Sequence, residues 1–109
     1  MKELATPLVL LMLPALVAAG EIYGKISLNG TAVGEGTLVA ARCGDTDYPA
    51  VKTDRTGSYN LVVAATGKCT LTVTHQGNSA SLAVASYEDA AQADIILESR
   101  DGQLTARRR

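Results

Sequence analysis

A chain of 109 residues with ten basic and eleven acidic side chains has a formal charge of −1, which excludes the strongly basic balance of a nucleic-acid binder. With four Tyr and neither Trp nor Phe, its core must be aliphatic and thin, and the length leaves no room for a cofactor domain beside it. No cofactor is expected, and composition by itself points to no activity.

Residues 1–19 come first and read as a cleavable signal peptide. Lys2 supplies a basic start, and the twelve-residue run Leu8–Ala19, broken by Pro14, ends in small side chains. Cleavage after Ala19 puts Val17 and Ala19 in the two specificity positions, and cleavage after Gly20 puts Ala18 and Gly20 there. The run is too short to cross about 30 Å of hydrocarbon, so no stable membrane span is expected. No Cys follows it, so the lipid-modified type of signal is not supported. The expected location is extracytoplasmic, periplasmic or secreted.

From residue 20 the chain alternates apolar and polar residues in short segments bounded by turn residues, the pattern of an all-β domain. Over Glu21–Leu28, Ile22, Gly24, Ile26 and Leu28 share one face, while Tyr23, Lys25 and Ser27 share the other. Asn29-Gly30 is a tight-turn signal. Thr37–Cys43 is the next strand, and Val51 leads into the turn Thr53-Asp-Arg-Thr-Gly57. Tyr59, Leu61 and Val63 then alternate inward. In Cys69–His75 the apolar Cys69, Leu71 and Val73 oppose Thr70, Thr72 and Thr74. Gln76–Ser79 turns the chain, and Ala80–Tyr87 and Ala93–Glu98 complete a seven-stranded two-sheet sandwich over residues 20–98. Residues 99–109 read as a basic flexible tail ending in Arg107–Arg109, beside a mildly acidic body.

Cys43 and Cys69 are the only cysteines, and an oxidising compartment favours joining them. In the chain-entropy model a loop of this length contributes about 3.5 kcal/mol, a large share for a domain so small. The single His leaves too few soft ligands for zinc, and no metal is expected.

Several segments together resemble the carboxypeptidase regulatory-like domains. They are Ile22-x-Gly24-x-Ile26, the Gly30 turn, Val33-Gly-Glu-Gly-Thr-Leu38, Thr53-Asp-Arg-Thr-Gly-Ser-Tyr-Asn-Leu61, Gly67 followed by Leu71-x-Val73, and Ile95-x-Leu97. The resemblance implies a transthyretin-like (prealbumin-like) sandwich, a fold grouped with the carbohydrate-binding-like sandwiches, and an accessory role without catalysis. Hydroxyisourate hydrolases of that fold use several His and end in Tyr-Arg-Gly-Ser; this chain has only His75 and ends Thr-Ala-Arg-Arg-Arg.

The remaining candidates are few. His75, beside a turn, reads as a solvated surface residue and not as a catalytic base. Lys25 reads as a solvated strand Lys, facing away from Ile22 and Ile26, not as an isopeptide donor. Asp45, Asp47 and Asp54 suit turns better than a calcium site. Exposed Tyr23, Tyr48 and Tyr87 could contact a ligand, Tyr23 beside Lys25 foremost. The function expected is that of an exported, non-enzymatic accessory or interaction domain with an envelope or extracellular protein as partner. The alternative is a carbohydrate-binding module that uses these tyrosines on a glycan.

Overall fold

The computed structural model describes residues 20–87 and 89–109; the expected signal peptide, 1–19, lies outside them. The described residues form ten strands and no helix. They are β1 (Gly20–Leu28), β2 (Thr31–Ala32), β3 (Leu38–Cys43), β4 (Thr46–Lys52), β5 (Ser58–Val63), β6 (Gly67–His75), β7 (Asn78–Ser86), β8 (Ala90–Gln92), β9 (Ile95–Arg100) and β10 (Gln103–Arg108).

Two sheets face each other. The first runs β10-β9-β1-β2, with β5 and β8 also paired to β1; the second runs β4-β3-β6-β7. Strand β1 is the axis of the first sheet. Its beginning, Gly20–Lys25, pairs antiparallel with β5, and Glu21–Tyr23 pairs parallel with β8. Its end pairs with β2 and β9. Ile26 donates its N–H to Gly57 and accepts from Val33 N–H at the same edge, so β2 and β5 lie on one side of β1.

The inward faces match the alternation in the sequence. Ile22 and Ile26 of β1, Tyr59, Leu61 and Val63 of β5, and Ile95 and Leu97 of β9 belong to the buried core. Val39, Ala41 and Cys43 of β3, Cys69, Leu71 and Val73 of β6, and Ala80 and Val84 of β7 complete it. Burying each aliphatic side chain contributes about 1.5–3 kcal/mol, so a one-residue slip of any of these strands would forfeit several such contributions at once. On the outer face of β6, Thr72 and Thr74 bond Ser81 and Ser79 of β7 at 3.0 and 2.8 Å. These threonines lie on the side away from the core, as the alternation predicts.

The count of seven strands is corrected to ten: β2, β8 and β10 are additional, and of β4 the sequence signals only the end near Val51. Strand β4 was hidden because its side chains are exposed or half-buried throughout, which leaves no alternation to read. Strands β8 and β9 are consecutive segments on one side of β1, broken at Ala93–Asp94 with the register offset unchanged across the break.

The expected flexible tail is also corrected. Residues 103–108 form β10, paired with β9 from Gln103↔Arg100 to Arg108↔Ile95. The turn between them is Asp101-Gly102, with φ of 53° and 79°. Two successive positive-φ residues suit a right-twisted hairpin, and Asp-Gly supplies them at low cost. Leu104 and Ala106 pack against the core. Arg107 reaches Glu98 at 4.0 Å, and Arg108 Nη2 donates to the Gln92 carbonyl at 2.5 Å. The sandwich therefore extends through Arg108.

Cys43 and Cys69 are directly opposed across β3 and β6, with Cα atoms 4.2 Å apart and a disulfide between them. Both are buried in the core. No helix among the described residues is long and apolar enough to cross a membrane.

Candidate ligand-binding face

The outer face of the first sheet carries the candidate site. Alternation along β1 turns Tyr23 and Lys25 outward while Ile22, Gly24 and Ile26 turn inward. Register then sets Tyr23 between Asn60 of β5 and Gln92 of β8, and Lys25 opposite Ser58. Lys52, Asp54 and Asp94 close the perimeter of a cleft of about 520 Å³. The floor is Gly24 with Tyr59 beneath it.

The break between β8 and β9 shapes this cleft. Ala93 N–H still donates to the Tyr23 carbonyl at 2.7 Å. At the next ladder position Lys25 N–H goes to the Asp94 carboxylate at 3.0 Å, so a side chain takes the place of a strand carbonyl. Gln92 Nε2 lies 3.3 Å from the same carboxylate. Tyr59, 3% exposed, sends its hydroxyl to the Ala93 carbonyl at 2.5 Å. Burial pushes the Tyr59 phenol well above its ordinary value, the Asp94 charge adds to the effect, and Arg108 partly opposes it. Tyr59 is thus a neutral donor that ties β5 to the break.

Asp54 is held by its own turn. Its Oδ1 accepts from Thr56 N–H at 2.9 Å, Thr56 Oγ1 at 2.7 Å and Ser58 N–H at 3.0 Å. The Thr56 hydroxyl is the foremost cause of a lowered Asp54 pKa, followed by the two backbone donors, with Lys25 adding a minor attraction. A carboxyl whose pKa is lower folded than unfolded stabilises fully above its unfolded value and loses that contribution as pH falls through the folded one. Denaturant midpoints should therefore decline from about pH 4 downward, and Asp54→Asn, which keeps an acceptor without the charge, should flatten that decline. Equal acid slopes in the two proteins would count against the turn's role.

The three candidate tyrosines do not form a common platform. Tyr23, 37% exposed, lies in the cleft. Tyr48 is on β4 of the other sheet, half-buried against the core, and its hydroxyl accepts from Ala65 N–H at 3.1 Å. Tyr87 follows β7 and is 60% exposed, but it does not line the cleft. Asn60, Gln92 and Asp94 were missed in the sequence. Only the outward parity of Asn60 and Asp94 follows from the alternation, Gln92 lying outside the expected strands, and their convergence on Tyr23 depends on pairing strands distant in sequence.

His75 is also corrected. It is half-buried, and its Nδ1 lies 2.7 Å from the hydroxyl of Thr37, itself 2% exposed. Thr37 and Thr53 form a bonded pair there: Thr37 N–H donates to Thr53 Oγ1 at 3.0 Å, and Thr53 Oγ1 donates to the Gly34 carbonyl at 2.6 Å. His75 thus braces the polar contact that joins the end of β6 to the approach to β3. Asp45, Asp47 and Asp54 do not gather: Arg42 engages both Asp47 oxygens at 3.0 Å, and Asp54 serves its turn. Among the described residues no three His, Cys, Asp or Glu side chains are grouped to hold a metal ion.

The cleft offers a ring face, two amides, and cations and carboxylates at its rim. No family model matches the chain, and no curated protein matches it. Among solved structures it is similar to an NMR structure of a protein from Eubacterium rectale. The TM-score is 0.51 at 13% identity, covering 84% of this chain and 88% of that one. That similarity concerns the fold alone.

Proposed function

We propose that the chain is an exported, non-enzymatic accessory domain that works by contact, through the outer face of β1, β5 and β8. The observation that carries this reading is the row Asn60–Tyr23–Gln92, set across three strands above a cleft with charged groups at its rim. Interfaces favour such rigid tyrosines among polar neighbours, since Tyr brings apolar area with few rotamers to freeze. Partner binding by strand addition has less support. The exposed edge strand β4 carries Pro49 and pairs with β3 through a register shift between Val39 and Ala41, and both features blunt an edge.

The buried Cys43–Cys69 disulfide is compatible with a periplasmic or secreted location. The all-β two-sheet architecture is compatible with the carboxypeptidase regulatory-like, prealbumin-like assignment, which belongs to this proposal. A photoreactive side chain at position 23 of the exported protein should form an adduct with one envelope or extracellular protein. The same group at Thr72, on the outer face of the other sheet, should not. No adduct at 23, or the same adduct from both positions, would sink the reading.

A glycan is the second reading, and the flanking of Tyr23 by Asn60 and Gln92 favours it. A ring face stacks on the apolar side of a sugar while amides bond its hydroxyls. On a glycan array, binding should weaken about tenfold or more in Tyr23→Ala, as for an interface anchor. Binding unaffected by that change would remove the glycan from this face.

A further inference from the structure

Residue 20 is the first of the described residues, and its surroundings are unusual. Gly20 is buried and opens β1, opposite Val63, which is 0% exposed. A Cβ at this position would collide with the Tyr87 carbonyl oxygen and lie 3.0 Å from Ser86 Oγ. Only glycine fits so close an approach. Ser86 is 1% exposed, and among the described residues its hydroxyl is the buried side-chain polar atom with no hydrogen-bond partner. Such a group costs free energy until something bonds it.

An internal Gly20 has one N–H. The even-numbered residues of β1 direct theirs at β5, as Ile26 does to Gly57, so that donor belongs to the Val63 carbonyl and leaves Ser86 unserved. An α-ammonium at the same atom has three donors.

We propose that export processing hydrolyses the Ala19–Gly20 bond, and that the resulting α-ammonium of Gly20 is received by the Val63 carbonyl, the Tyr87 carbonyl and Ser86 Oγ. The proposal rests on the export reading above, and it chooses between the two cleavage positions the sequence permits. One water adds across the amide in the export endopeptidase: the carboxylate stays with Ala19, and the protonated amine stays with Gly20. Cleavage one residue later removes Gly20, opens the end of the β1–β5 ladder, and leaves the Ser86 hydroxyl without a donor. Cleavage after Ala19 keeps the ladder and supplies a donor for Ser86. Ser86 and Tyr87 then act as a socket that fixes the new chain end.

The test is N-terminal sequencing and intact mass of the protein recovered from the extracytoplasmic fraction, with amine labelling as a second readout. The expected start is Gly20. A start at Glu21 overturns this inference and leaves export intact, whereas retention of Met1 overturns export as well. In Ser86→Ala the start should be unchanged, but the α-amine should react with an acylating reagent about tenfold faster, the factor that one hydrogen bond to a charged group provides. Equal labelling rates in the two proteins would overturn the socket.

Discussion

Replacing both cysteines, Cys43→Ala with Cys69→Ala, should lower the melting temperature by roughly 15–25 °C. That corresponds to about 3.5 kcal/mol in a domain of this size, where each kcal/mol moves Tm by about 4–8 °C. The bond links residues 26 apart in sequence, and its main effect is to restrict the unfolded chain. It adds little to strand placement, because Cys43 and Cys69 are already opposed in the β3–β6 ladder, which continues to Leu38↔Thr74. The variant should therefore keep its sheet signature while losing stability. Both sulfurs also fill core space, so truncation adds a packing loss. Wild type reduced and held reduced keeps those atoms, and its midpoint separates the two contributions. A double variant melting within about 5 °C of wild type would show that the link is not a principal source of stability.

How much of this fold was legible follows from where alternation is strong. Strands β1, β5 and β6 bury every second residue against the opposite sheet, so their faces could be read directly. Strand β4 buries none of its side chains fully and gives no period. Strand β10 alternates only weakly, with Leu104 and Ala106 half-buried among exposed polar residues. Its strongest signal was the Asp101-Gly102 turn, which carries the same chemistry as the recognised Asn29-Gly30 turn. The run of charged residues around it favoured the reading of a solvated tail. His75 was misjudged for a related reason: its partner, Thr37, is brought to it by the pairing of β3 with β6, which no local pattern contains.

The candidate face was legible only by halves. The parity of Tyr23, Lys25 and Asn60 follows from period two. The meeting of Asn60, Tyr23 and Gln92 follows from an antiparallel and a parallel register on opposite sides of β1, and a parallel pair gives no short-range signal. Tyr48 shows the converse. Its composition suited a contact residue, but the hydroxyl is spent on Ala65 N–H and the ring on the core.

Gly24 links the core to that face, and Gly24→Ala should be strongly damaging. The residue is buried and directly beneath the break between β8 and β9. An added Cβ would collide with the Ala93 carbonyl oxygen and lie 2.7 Å from both the Ala93 carbonyl carbon and Asp94 Oδ1. These neighbours are backbone or tied to it, so β8 and β9 must move as a unit. That movement disturbs three bonds together: Ala93 N–H to the Tyr23 carbonyl, Lys25 N–H to Asp94, and the Tyr59 hydroxyl to the Ala93 carbonyl. Overpacking a tight site costs about 1–3 kcal/mol, and losing a buried hydrogen bond adds on the order of 1 kcal/mol. A loss of about 2–4 kcal/mol is expected, read from denaturant midpoints with an unchanged slope. Tyr59→Phe removes one of the three bonds without the collision and should cost about 1 kcal/mol. If Gly24→Ala were no worse than Tyr59→Phe, the close approach of β1 to the break would not be what shapes the cleft. If it is worse and also weakens contact at position 23, the small residue in the core strand is what permits the binding face above it.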